Sequence, residues 1–198
     1  NMDSDVPNSI TNVTAYQEQK VDGSWVKLIF IALKKLKLPA ENIFENVGID
    51  CEHIVEVKFV TRVEVYNLYK EIEMYGQLDA LPFYVGEVFQ LHFVDFASHL
   101  ITGSKTLKDL LENIAIIATN ITHLGRSQIE VEADHTSMSF SSATGDYKLH
   151  RITQEICIFL VCKIIKQVFP HISNIIANVV LDNSSKESNN LSLLEHPV

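Results

Sequence analysis

The chain has 198 residues, 46% of them hydrophobic, enough to bury a sizeable core as one domain or two small ones. Its 25 acidic and 16 basic residues leave a net charge of −9 with no long basic run, which argues against these residues binding a DNA backbone. The longest apolar run, Ile156 to Cys162, stops at Lys163 and is too short to span a membrane.

Residues 1–20 are polar and aperiodic and read as a flexible lead-in. They hold neither the basic nor the apolar region of a secretory signal, so a cytoplasmic location is expected. Ser24 is placed to cap a helix that runs to about Leu36, in which Trp25, Leu28, Ile29, Ala32, Leu33 and Leu36 recur at helical spacing. Lys34, Lys35 and Lys37 suit the negative end of its dipole. Pro39 stops that helix and starts a short one ending at Gly48. Thr61-Arg62-Val63-Glu64 has the form of a capping box: the hydroxyl accepts from the amide three residues on, and the carboxylate reaches back. The helix it opens sets Val65, Leu68, Tyr69 and Ile72 on one face, with Gly76 as its stop. Asp79 is expected to cap the next helix, with Pro82 tolerated in the first turn. Ser104 or Thr106 opens a further helix with the face Leu107, Leu110, Leu111, Ile114, Ile117, Ala118 and Ile121, and Gly125 is expected in the left-handed position past its end.

The apolar period then changes from 3.6 to 2. Ile129, Val131 and Ala133 alternate with Gln128, Glu130 and Glu132; Asp134-His135 turns; Thr136, Met138 and Phe140 alternate again, which predicts a hairpin with one buried face. Residues 148–168 return to helix, apolar over more than half the circumference, and Asn174 to Leu181 reads as another strand. The expected fold is α+β: a helical N-terminal half followed by a β-β-α-β unit with a small, mainly antiparallel sheet. The expected domain spans residues 21–181, helical to about 125 and α/β over 126–181, with 182–198 a polar linker or truncated edge.

Few residues point to bond-breaking chemistry. There is no G-x-S-x-G, no G-x-G-x-x-G and no Walker loop. Cys51, Cys157 and Cys162 lack metal-ligand spacing; on a helix, Cys157 and Cys162 point about 140° apart, so they read as small buried hydrophobes. His92 and His99 are seven apart and could share a helix face, with Glu87 near, as haem or metal ligands; the plainer reading is polar edges at a subdomain junction. Glu130 and Glu132 share a strand face opposite an apolar one, which makes them a solvated surface. No catalytic residue, metal or cofactor is therefore expected. The cluster Phe83, Tyr84, Phe89, Phe93 and Phe96 is either core packing or one wall of an apolar effector pocket. Arg62, one of three arginines, either clamps an anionic group of an effector or pairs a nearby carboxylate.

Five segments recur in a definite order: Leu38-Pro39, Gly48-Ile49-Asp50, Arg62 leading a helix, Phe83-Tyr84-Val85-Gly86 and Ser104-Lys105-Thr106-Leu107. This series resembles the N-terminal regulatory domain of AraC-type bacterial transcription regulators, of the arabinose-binding-like kind that is helical then mixed α/β, not the jelly-roll kind. The resemblance covers roughly residues 23–181 and weakens over Gln90 to Ala97. It implies a ligand-sensing, dimerising domain that reaches DNA only through a separate helix-turn-helix domain, neither motif of which is seen here. The candidate effector residues are Arg62, Tyr84, Phe89, Phe93 and Phe96, and the effector expected is a small apolar or amphiphilic molecule. A sugar finds little support, with one tryptophan and few convergent polar groups. The alternative is a stand-alone small-molecule or haem sensor, or a small enzyme, on the same scaffold.

Overall fold

Close backbone approach begins the first helix. The computed structural model describes residues 20–93, 95–118, 124–132, 136–142, 147–171, 178–179 and 191–192. Strand β1 (Lys20–Asp22) leads directly into α1 (Gly23–Lys35). The Gly23 N–H donates to the Lys58 carbonyl at 2.8 Å, and a Cβ on Gly23 would lie 1.9 Å from the Val57 carbonyl oxygen. Only glycine fits there. The cap is Asp22, whose carboxylate accepts from the Ser24 N–H at 2.8 Å, and not Ser24 as expected, because the helix starts at Gly23.

Pro39 opens α2 (Ala40–Val47), and Gly48 closes it in the left-handed region at φ 85°. Strand β2 (Phe59–Thr61) then pairs antiparallel with β1, Val21 opposite Val60. Nothing in the sequence pattern announced this ladder. Helix α3 (Arg62–Met74) follows with the capping box intact: Glu64 N–H donates to Thr61 Oγ1 at 3.1 Å and Thr61 N–H to Glu64 Oε2 at 2.6 Å. Its predicted face, Val65, Leu68, Tyr69 and Ile72, is buried. A 3-10 turn (Leu78–Ala80) runs straight into α4 (Leu81–Val88), which has no side-chain cap; Asp79 instead pairs with Arg151. A further 3-10 turn (Leu91–Phe93) precedes α5 (Asp95–Thr102) and α6 (Leu107–Ile117). Thr106 caps α6 in a second capping box with Asp109. Leu110, Leu111 and Ile114 of its predicted face are buried, while Ile121 lies outside the described residues. Gly125 begins a strand and so does not cap the helix as expected.

Strands β3 (Gly125–Val131) and β4 (Thr136–Ser142) form the predicted hairpin, antiparallel, with Ile129 opposite Met138 and Ser127 opposite Phe140. Burial alternates as predicted, Glu130 and Glu132 facing out, except that Val131 at the turn end is 50% exposed. Ala133 and the Asp134-His135 turn lie outside the described residues. Helix α7 (Tyr147–Val168) packs on α4 and on β4, where Gln154 Nε2 donates to the Phe140 carbonyl at 2.8 Å. Of the strand expected over 174–181, Asn178–Val179 is extended as β5. It pairs with β6 (Leu191–Ser192), so among the described residues the final strand forms a ladder separate from the hairpin. The nearby second run supplies the backbone partners that β5 needs.

The architecture is α+β. One continuous core joins α1, α2, α3, α4, α6 and α7, with α4 lying between α1 and α7. Gly86 permits that layering: a Cβ there would stand 2.9 Å from the Cβ of Phe159 on α7. The second close-approach glycine thus lies within the Phe83–Gly86 segment that the resemblance singled out.

Candidate effector site

The expected effector residues fall on three stretches of chain. Arg62 is the first residue of α3, only 4% exposed. Its helix neighbours α2, β2 and the Leu78–Ala80 turn. Tyr84 lies on α4 and is half-buried, and Phe89 caps the end of α4 at 2% exposure, inside the continuous core. Phe93 ends the 3-10 turn and Phe96 lies in the first turn of α5, with side chains outside the described residues. Helix α5 packs on α6. Arg62 thus begins α3 while Tyr84 and Phe89 belong to α4, and the Leu78–Ala80 turn neighbours both helices.

The aromatic row has a member that the sequence did not suggest. Phe83 meets Tyr84 edge-on, ring centroids 5.4 Å apart, and meets Phe159 of α7 edge-on at 6.0 Å. Such edge-to-face pairs are worth about 0.5–1.5 kcal/mol beyond burial. Phe159 is distant in sequence and sits in a helix that is apolar over more than half its circumference, so no local signal marks it. Phe83 itself stays 46% exposed.

Three polar groups inside the core, on Trp25, Tyr69 and Thr153, are tied to one another. Trp25 Nε1 on α1 donates to the Tyr69 hydroxyl on α3 at 3.1 Å, and the Thr153 hydroxyl on α7 lies 3.4 Å from the same oxygen. Tyr69 and Thr153 are fully buried. Burial pushes the Tyr69 phenol well above its usual range, so it stays neutral and serves as a hydrogen-bonding pin between three helices. At the surface, Arg151 of α7 pairs Asp79, and its Nε stands 3.4 Å from Glu155. Burial raises the Glu155 carboxyl; Arg151 opposes that rise and Asp79 adds to it.

The nucleophile and metal candidates do not assemble. His92 lies in the 3-10 turn and His99 on α5, both exposed, so they do not share one helix face. Cys51, Cys157 and Cys162 are free thiols. Burial pushes the Cys157 thiol up to about 12, the opposite of what a reactive cysteine requires. Among the described residues no three His, Cys, Asp or Glu side chains gather as a metal site, and no helix is long and apolar enough to cross a membrane. The arrangement offers apolar and aromatic contact surface with scattered polar groups, suited to packing against a ligand or a partner. No family model, no curated protein and no solved structure matches the chain.

Proposed function

We propose that this chain is the ligand-sensing and dimerising domain of a cytoplasmic, AraC-type transcription regulator, acting on DNA through a separate helix-turn-helix domain. The observation that carries the reading is the ordered five-segment series, each piece of which falls at an element boundary or a packing contact. Leu38-Pro39 separates α1 from α2, Gly48 is the left-handed cap of α2, and Arg62 begins α3. Phe83 to Gly86 carries the α4–α7 contact, and Ser104 to Leu107 carries the capping box of α6. A helical half followed by an antiparallel hairpin and a long helix is also the order that the resemblance implies. In this reading the chain binds and does not catalyse, and the effector is a small apolar or amphiphilic molecule held near Tyr84, Phe89, Phe93 and Phe96, with Arg62 as the candidate anion contact.

The test is a thermal-shift screen with fatty acids, aromatic acids and sugars. A ligand at 100 times its dissociation constant stabilises the fold by about 2.7 kcal/mol, and Tyr84→Ala weakens that response. Absence of any stabiliser across the three classes rejects the sensing role.

A further inference from the structure

We infer that the outward face of α1 is a docking surface for an acidic peptide segment of a partner protein. Lys27, Lys34, Lys35 and Lys37 meet its carboxylates around an apolar contact at Ile31. The inference stands apart from the effector reading, since it uses none of the candidate effector residues.

The face follows from helical spacing. Steps of three and four residues set Lys27, Ile31, Lys34 and Lys35 on one side of α1. Val26, Ile29 and Leu33, on the opposite side, are buried in the core. Lys34, Lys35 and Lys37 are exposed, and Lys27 and Ile31 are half-buried. Lys34 pairs with Glu41 of α2, and its ammonium stands 5.3 Å over the ring of Phe30. Among the described residues, Lys27, Lys35 and Lys37 enter no ion pair.

Charge selects the occupant. Between Asp22 and Glu41 the chain carries four lysines and no acidic residue, although the whole chain carries −9. Glu41 offsets one of these charges, and the carbonyl end of α1 offsets about half of another, so a surplus of about two and a half remains. Screening over about 8 Å at physiological salt keeps that surplus distinct from the acidic surface elsewhere. A duplex, with one negative charge per about 1.7 Å of its axis, would extend past this face onto acidic surface, whereas a short acidic segment meets the face alone. Ile31, between Lys27 and Lys34, gives such a segment an apolar contact that a bare anion would not use. A second observation points to the same place. Lys37, at φ 60°, is the one non-glycine with positive φ among the described residues. Its N–H donates to the Lys34 carbonyl and the Leu38 N–H to the Leu33 carbonyl, both at 3.0 Å, a helix-ending turn that ordinarily takes glycine. A lysine there adds charge to the face at the cost of backbone strain, and such strain gathers at functional sites.

The experiment is fluorescence anisotropy of a labelled peptide that carries glutamates at three- and four-residue spacing around a central leucine. It is titrated with the 198-residue chain at about 50 and about 150 mM salt. The wild type binds, and more tightly at the lower salt. Lys35→Glu with Lys37→Glu weakens binding by about tenfold or more. Both positions are exposed, so the fold stays intact, which circular dichroism checks. Lys37→Gly, which relieves the left-handed strain, melts higher than the wild type and yet binds a few-fold more weakly. Lys105→Glu with Lys108→Glu makes the same change of charge at the exposed start of α6 and leaves binding nearly unchanged. An equal loss there means general attraction and overturns the docking face, as does a wild type that does not bind the peptide. A labelled DNA duplex bound more tightly than the peptide, through the same α1 lysines, overturns the peptide partner in favour of nucleic acid.

Discussion

An alanine at position 86 would set its Cβ 2.9 Å from the Cβ of Phe159, closer than two such carbons approach. The obstacle is the root of the side chain, not its movable ring, so α4 and α7 must part. Gly86→Ala is expected to cost about 1–3 kcal/mol in urea denaturation, and adding Phe159→Ala will not restore it, because alanine keeps the offending carbon. Single residues also set the response to alkali. Burial pushes Cys157 up to about 12 and Tyr69 higher still. Both are raised acids, so their contribution is intact at low pH and is lost as pH rises. The unfolded thiol ionises near about 8.5 and the unfolded phenol near about 10, while the folded groups do not, so each group costs up to about 1.4 kcal/mol per pH unit above its unfolded value. Stability measured from pH 7 to 10 should fall, and Cys157→Ser should flatten the earlier part of that fall.

Two helices begin on threonine capping boxes, but their settings differ. Thr61 ends β2 and is half-buried beside Glu64, whereas Thr106 stands exposed with Asp109. Removing a threonine cap costs about 0.5–2 kcal/mol, so Thr61→Ala should lie toward the upper end of that range and Thr106→Ala toward the lower, read from their denaturation midpoints. These starts were legible because a capping box is local: hydroxyl and carboxyl lie three residues apart and need nothing else. The helix end at Gly48 and the hairpin alternation from Ile129 to Phe140 were legible for the same reason. What escaped depended on distant partners. Asp22 outranked Ser24 because Gly23 presses against Val57 and Lys58, and Asp79 left its helix for Arg151, which lies in another helix. The three-residue ladder of Lys20–Asp22 with Phe59–Thr61 is too short to show a period.

At the scale of the molecule, the candidate site was legible only in its residue types. Aromatic excess marked α4, but Phe89 proved to be core, and Phe159 entered from a helix whose apolar pattern hides which face meets α4. Arg62 stood out by rarity, a property that carries no address. The β1–β2 ladder bears on a more practical matter, where the chain could be shortened. It clasps the starts of two helices at once: Asp22 caps α1, Thr61 caps α3, and fully buried Val21 covers Val60 between them. A version beginning at Gly23 would lose both the carboxylate and the valine, about 3 kcal/mol together from one cap and one buried side chain, and should melt several degrees lower than one beginning at Lys20. Three residues ahead of the first helix thus define the minimal folding unit, and a protease that trims past them should release a loosened α1 and α3 together.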